Sequence, residues 1–220
     1  MAGVPVLPVE LCLGQLAEDL RLIDLVVAID SALHRELCSL DDIIAAIRPR
    51  QRGLPVLRRA LALCDGRSES AWETILRLLY MSAEIEVEPQ HEIRNSQGEV
   101  VARGDLRIKG TNRLSEYDGA YHRDRAQHQD DLKREKMLSR LGMQRYGYIA
   151  TEIVHEAGQI VRDAEDVCGL PHSPQRLGTW LTWVTESTLT WDGKRRLLRR
   201  LHRYTNPLRG RGARRRIARV

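Results

Sequence analysis

The spacing of hydrophobic residues changes from helical to alternating near the middle of this 220-residue chain, and the change limits the folds available to it. Ser70 to Met81 has helical spacing and opens with Ser70 and Glu73 in the positions of a capping box. Asn95 to Gly98 has the composition of a hairpin turn. Strand candidates lie on both sides of that turn: Ile85 to Glu88 with Glu92 to Arg94, Val100 to Ile108, and Arg113 to Tyr117.

Further helices are predicted after these strands. Arg125 to Leu141 is a charged helix candidate, and Gly142 supplies its C-terminal stop. Gln144 to Ile149 is a last short strand, and Thr151 to about Asp166 has helical spacing. The order helix, three strands, helix, strand, helix predicts an α/β fold in which a mixed sheet is flanked by helices.

Composition divides the chain into three segments. Residues 1–66 are predicted to be helical, with Ser39 and Asp42 opening one short helix, and they contain no catalytic motif. Residues 67–166 form the α/β core, and residues 167–220 form a C-terminal helical extension with a basic tail. Trp180 and Trp183 in this extension are three residues apart, which favours core packing over base stacking.

Basic residues are concentrated at the C-terminal end. Residues 194–220 hold one Lys and eleven Arg without a carboxylate, a charge of +12, so the remainder has 23 basic and 30 acidic residues, a charge of −7. Such a segment suits a polyanion because neutralising phosphates releases counterions, although an inert solvated tail has the same composition. DNA is the expected partner, and the candidate contacts are Lys109, Arg195, Arg196, Arg199, Arg200, Arg214, Arg215 and Arg216.

The sequence argues against a secreted or membrane protein. Its four cysteines lie far apart with no CxxC spacing, which indicates reduced thiols and neither a disulfide framework nor a zinc site. The first nine residues lack the basic start of a signal peptide. The most apolar stretch, Leu22 to Ile29, is interrupted by Asp24 and is too short to span a bilayer. A cytoplasmic protein without a membrane partner is expected.

Three acidic residues are the candidate centre of a catalytic site. Asp105 lies inside one strand candidate, and Glu116 and Asp118 follow at strand spacing, so both point to one face if that strand is long enough. Carboxylates that converge in this way repel each other unless a cation lies among them. Oxygen ligands suit Mg²⁺ or Mn²⁺, and such an ion promotes phosphodiester hydrolysis.

Two further residues complete the candidate site. His122 is a possible acid or base near neutral pH, and Glu73 can orient a water molecule. Structural interpretations remain open for two of the acids. Glu73 is equally explained as a capping acid, and Asp118 followed by Gly119 is also a common turn signal.

These residues carry a resemblance to a known family. Arg103-Gly-Asp105, then Glu116-Tyr-Asp118-Gly-Ala-Tyr-His122, then Asp131-Leu-Lys-Arg134, resembles the short endonuclease domains related to very-short-patch-repair endonucleases, within the PD-(D/E)xK restriction-endonuclease-like superfamily. The resemblance covers about residues 68–166. It implies a restriction-endonuclease-like mixed sheet flanked by helices, with helical extensions at both ends here, and metal-dependent DNA cleavage. By position, it makes Asp105, Glu116, Asp118 and His122 the motif residues.

The helical segment Leu20 to Leu63 is also similar to the middle region of larger actinobacterial proteins. In those proteins a winged helix resembling abortive-infection antitoxins precedes the same nuclease-like domain, and that winged helix is not expected here. In addition, Asp118 stands where the superfamily has a lysine, and Lys109 or His122 would have to replace its charge.

Three hypotheses follow from these patterns. The first is an Mg²⁺- or Mn²⁺-dependent DNA endonuclease. The second is a non-catalytic DNA-binding or antitoxin-like regulatory protein on a nuclease-derived scaffold. The third and weakest is a nuclease acting on RNA, because an arginine tail recognises phosphate without distinguishing the sugar.

Overall fold

A four-stranded mixed sheet forms the centre of the protein. The computed structural model describes residues 6–119 and 125–205, without the side chains of 125–131, 203 and 205. The strands are β1 (Val87–Arg94), β2 (Val100–Ile108), β3 (Arg113–Tyr117) and β4 (Gln144–Tyr148), and they are ordered β1-β2-β3-β4. The mixed α/β architecture predicted from the sequence is therefore confirmed.

Connection length decides the direction of each strand pair. Short turns join β1 to β2 and β2 to β3, and both pairs are antiparallel. Gly98 supplies the left-handed backbone of the first turn, with φ +83°. β3 and β4 are parallel, because the intervening chain includes the crossover helix Arg125–Arg140.

Helices precede, connect and follow the strands. They are α1 (Val9–Leu16), α2 (Leu22–His34), α3 (Leu40–Ala45), α4 (Leu54–Leu61), α5 (Ala71–Ser82), α6 (Arg125–Arg140), α7 (Ala150–His155), α8 (Ala157–Cys168), α9 (Leu177–Glu186) and α10 (Trp191–Thr205). Ser39 and Asp42 form the predicted capping box at the start of α3. The helix predicted over residues 151–166 is instead two helices, α7 and α8, which meet at Glu156.

The main hydrophobic core joins all three segments predicted from composition. Buried side chains of α2, α5, β2, α8 and α9 belong to one cluster, which includes the fully buried Trp180. α5 packs on the sheet, where the Tyr80 hydroxyl hydrogen-bonds the Ser115 hydroxyl at 2.8 Å. A smaller cluster of Ile93, Leu114 and Leu138 lies between the sheet and α6.

A buried ion pair connects the N-terminal helices to α5. Asp30 on α2 and Arg77 on α5 are both buried, and Arg77 Nη2 lies 2.7 Å from Asp30 Oδ2. Asp30 also accepts hydrogen bonds from the Thr74 hydroxyl and the Asp65 amide. These contacts leave the N-terminal helices packed on the helix that carries Glu73. Among the described residues, no helix combines the length and the apolar character needed to cross a lipid bilayer.

Candidate active site

Asp105 lies where β2 and β3 stop pairing. Leu106 pairs with Ser115 on β3, and Asp105 is the next residue of β2 beyond that pair. Its side chain reaches across the gap, because the Tyr117 backbone N–H donates to Asp105 Oδ2 at 3.0 Å. The Asp105 carboxylate thus accepts a hydrogen bond from the residue that lies between Glu116 and Asp118, the two acids predicted to share its site.

The neighbouring edge strand positions Glu73 against this point. On β1, Gln90 lies between Pro89, which pairs with Leu106, and His91, which pairs with Gly104. Gln90 has a left-handed backbone with φ +53°. The Gln90 side-chain amide donates to Glu73 Oε2 at 2.7 Å, and the Glu69 amide donates to the same oxygen at 2.9 Å. The Glu73 carboxylate is buried and held by two donors from outside its own helix.

Glu73 serves the helix start and the site at once. Ser70 Oγ accepts from the Glu73 backbone amide at 3.2 Å, as an N-cap does. The reciprocal bond of a capping box is displaced by one residue, to the amide of Glu69. The predicted capping interpretation is therefore correct in part, and the remaining donor, Gln90, connects Glu73 to the sheet.

The charge around Asp105 is unbalanced. Burial raises the pKa of Asp105 to about 6, and the nearby carboxylates of Glu73 and then Glu116 add to the increase. The amide of Tyr117 and the charge of Arg134 lower the pKa without cancelling these effects. An ionised Asp105 is consequently unfavourable here unless a cation approaches it.

Glu116 is buried and already paired with two arginines. Arg134 of α6 donates to both of its oxygens, at 2.8 Å and 3.3 Å, and Arg145 Nε of β4 donates to Oε2 at 2.5 Å. Arg134 also donates to the Arg103 carbonyl of β2 at 2.7 Å. This network joins α6 and β4 to β3, so Glu116 is less open to a metal ion than the sequence suggested.

The other predicted residues fall in different places. Asp118 directly follows β3, where its amide donates to the Tyr148 carbonyl at 2.9 Å and its side chain lies beside Gly147. His122 lies outside the described residues. Lys109 directly follows β2, four residues beyond Asp105, is exposed, and pairs with Glu86 at 2.8 Å. Lys109 is therefore not positioned to replace the missing lysine charge beside Asp105.

Tyr117 helps fix the end of β3. Its ring stacks on Trp72 of α5, with ring centroids 5.3 Å apart and planes inclined by 14°. Since Trp72 precedes Glu73 directly, this stack holds the start of α5 against the strand end that contacts Asp105.

The C-terminal arginines divide into inward and outward groups. Arg196 donates to the Thr185 carbonyl at 2.6 Å, and Arg200 donates to the Glu18 carbonyl and lies 3.6 Å from Asp19. Arg195 and Arg199 are exposed on the same helix. Arg214, Arg215 and Arg216 lie outside the described residues. Arg196 and Arg200 are thus already used in packing contacts.

The described side chains do not preassemble a complete metal site. Within the described part of the chain, no three His, Cys, Asp or Glu side chains are grouped so as to hold a metal ion. The site roles of Arg134, Arg145 and Gln90 were not apparent from the sequence. Arg134 belongs to the motif that carries the family resemblance. Arg145 and Gln90 are residue types common on protein surfaces, so no sequence signal marked them as site residues.

The raised pKa of Asp105 predicts a pH-dependent gain of stability in Asp105→Asn. A carboxyl group whose folded pKa is about 6, against the ordinary 3.8, stabilises the protein when protonated. That contribution is complete below about pH 4 and is lost as the pH rises through about 6. The neutral amide avoids this loss and still has an oxygen for the Tyr117 amide. Its advantage should grow by about 2 kcal/mol from pH 4 to pH 7.5.

Urea unfolding in EDTA at these two pH values measures this effect. The exposed Asp41→Asn serves as the control for replacing a carboxylate by its amide. If Asp105→Asn is more stable than the wild type by the same amount at both pH values, ionisation of Asp105 does not destabilise the fold.

Comparison of the chain with protein-family models, with curated proteins and with solved structures found no significant match. The case for its function therefore rests on its own residues.

Proposed function

We propose that this protein is a metal-dependent endonuclease that hydrolyses DNA phosphodiester bonds at a site centred on Asp105. The observation that carries the proposal is the partly buried Asp105 carboxylate at the point where β2 and β3 stop pairing, with its pKa raised to about 6. A carboxylate kept in this environment is a functional-site candidate, because burial and like charge there are costly to the fold. The basic C-terminal segment supports a polyanionic substrate.

The residues present fit a divalent cation held partly by the protein. Among the described contacts of Asp105, Oδ2 accepts one hydrogen bond and Oδ1 accepts none. Mg²⁺ commonly binds through one or two carboxylates together with waters and substrate phosphates, so a three-carboxylate cage is not required. Asp105 would hold the ion. A bound Mg²⁺ or Mn²⁺ would neutralise the scissile phosphate and activate the attacking water.

The surrounding residues would bind and orient the reactants. Glu73, buried and fixed by the Glu69 and Gln90 donors, is placed to accept a hydrogen bond from a water near Asp105. Arg134 supplies the positive charge that Lys109 does not, since its charge acts on the pKa of Asp105. Arg134 is about one-third exposed while bound to Glu116, and it is therefore the cation we assign to the substrate phosphate.

A cleavage assay tests the proposal directly. Wild-type protein is incubated with supercoiled plasmid and with labelled single-stranded DNA and RNA, in Mg²⁺, Mn²⁺, Ca²⁺ or EDTA. We expect cutting of DNA in Mg²⁺ or Mn²⁺ and none in EDTA. Cutting that persists in EDTA would contradict the metal requirement, and cutting of RNA alone would overturn the choice of substrate.

A non-catalytic DNA-binding or antitoxin-like regulator is the second candidate. The observation that favours it is the pairing of Glu116 with Arg134 and Arg145, which leaves one predicted ligand already neutralised. For such a protein, DNA binding would be salt-sensitive and unchanged by Asp105→Ala, with no cutting in any metal. The same assay, combined with a mobility-shift measurement, distinguishes the two functions.

A further inference from the structure

One side of α10 exposes an aromatic ring one turn before basic residues. Trp191 begins the helix with 81% of its surface exposed, and Leu198 is 59% exposed. Trp191, Arg195 and Leu198 follow one another at helical spacings of four and three residues, and so share a face. We call this the α10 outer face: Trp191, Lys194, Arg195, Leu198 and Arg199.

The opposite side of α10 is fixed against the protein. At Gly193 an added Cβ would lie 1.7 Å from the Ser187 carbonyl oxygen, so the helix backbone is in close contact there. Arg196 and Arg200 make their carbonyl contacts on this side, and the Tyr204 hydroxyl donates to Asp19 at 3.0 Å. These contacts determine which side chains of α10 face outward.

An exposed tryptophan in this setting requires an explanation. Trp side chains are strongly buried on average, and Trp180 in the preceding helix is fully buried. The only carboxylate within α10 is Asp192, which pairs with Arg195 at 2.5 Å. From residue 194 to residue 220 the sequence contains Lys and Arg but no Asp or Glu. The outer face therefore presents a ring to solvent within a positive field.

The arrangement of the outer face favours nucleic acid over a lipid surface. A membrane-surface helix separates its apolar side from its charged side. Here Arg195 lies between Trp191 and Leu198, so burying those two in lipid would also bury a charge. An aromatic ring among cations matches the way proteins bind single strands, with bases stacked on the ring and phosphates on the cations.

We propose that the α10 outer face binds an unpaired segment of the nucleic acid, with Trp191 stacked on a base and Lys194, Arg195 and Arg199 on phosphates. This inference rests on the proposed function for the identity of the partner, and it adds that the partner has single-stranded character. Lys194 to Arg199 spans ~7.5 Å of helix axis, and their long side chains extend this reach, so the face can contact more than one phosphate of one strand. A closed duplex would not offer Trp191 an open base face.

Binding measured without cleavage tests the outer face separately from the active site. Full-length protein in EDTA is titrated into a fluorescent oligothymidylate and into a duplex of equal length, at several salt concentrations. Trp191→Ala should weaken oligothymidylate binding by about fivefold or more and duplex binding less. Arg195→Gln with Arg199→Gln should reduce the salt slope for the single strand by ~1.4, since each phosphate contact contributes ~0.7.

Matched variants control for loss of charge and of surface. Arg58→Gln with Arg59→Gln removes two exposed cations of α4, and Ile44→Ala removes an exposed apolar side chain of α3. Both should bind oligothymidylate like the wild type. The inference is overturned if the wild type does not bind oligothymidylate, if the α10 variants match these controls, or if anionic phospholipid vesicles bind in its place.

Two separate measurements distinguish this inference from the proposed function. Binding is measured in EDTA and cleavage in Mg²⁺, on the same wild-type protein and the same α10 variants. Absence of cleavage with normal α10-dependent binding would remove the endonuclease proposal and leave the outer face intact. Cleavage that is unaffected by the α10 variants, together with unchanged binding, would remove only the outer-face inference.

Discussion

Asp105→Ala should lower the rate of metal-dependent DNA cleavage by about 1,000-fold, corresponding to several kcal/mol of lost transition-state stabilisation. The physical reason is the loss of the carboxylate that we assign to the metal ion. The fold should remain, because Asp105 makes one described hydrogen bond and its ionised form is disfavoured by burial and by Glu73. Single-turnover cleavage at saturating Mg²⁺ measures the rate, and circular dichroism checks the fold.

Asp41→Ala is the matched control, since it removes an exposed carboxylate from α3. It should cut DNA at the wild-type rate. Equal cleavage by Asp105→Ala would exclude Asp105 from the mechanism. Glu116→Ala is a poorer test, because it leaves Arg134 and Arg145 without their shared carboxylate and is expected to destabilise the sheet.

Asp30→Ala should reduce the free energy of unfolding by about 3–5 kcal/mol, the usual cost of breaking a buried ion pair. The change leaves the buried Arg77 guanidinium without its carboxylate, and it also removes the acceptor of the Thr74 hydroxyl and the Asp65 amide. Urea unfolding at pH 7 measures the effect. Because the hydrophobic core still joins α2 to α5, the transition should remain single while shifting to lower urea.

Arg67→Ala is the control for Asp30→Ala. It breaks the Arg67–Asp65 pair, in which the Arg67 side chain is 59% exposed, and it should cost at most about 1 kcal/mol. Similar losses in the two variants would contradict the importance of the buried pair. Two separate transitions in Asp30→Ala would show that the N-terminal helices unfold independently of the sheet.

Local sequence signals predicted most of the secondary structure. Ser70 begins α5 as its N-cap, Asn95 to Gly98 forms the turn between β1 and β2, and Gly142 follows α6 with a left-handed backbone. Each signal acts within a few residues, through a cap or a required φ angle. The bounds predicted for β2 and β3 agree with the structure for the same reason, since strand alternation is visible within the segment.

Predictions that depended on neighbours in space were less accurate. β1 continues through Pro89, where the sequence indicated a break, because β1 is an edge strand and a missing amide there breaks no essential pairing. α1 falls in the segment predicted to be helical but was given no bounds there, although Leu13 on it is buried in the main core. In both segments the tertiary position outweighs a weak local pattern.

The candidate site shows the same division. Asp105 and Glu116 were identified from the spacing of their acids and from the resemblance, and the fold brings their charges into interaction. The partners of Glu116 come from α6 and β4, 18 and 29 residues further along the chain. Lys109, only four residues from Asp105 in sequence, is instead exposed and paired with Glu86.

The sequence by itself determined the order of helices and strands, the strand acids and the concentration of positive charge at the C-terminal end. Only the tertiary structure decided that Glu116 is neutralised by arginines, that Glu73 lies close enough to raise the pKa of Asp105, and which arginines of α10 face outward. The physical reason is the distance along the chain over which each interaction acts. Capping and alternation act between near neighbours, whereas ion pairing and burial depend on strand register and helix packing, which join residues distant in sequence.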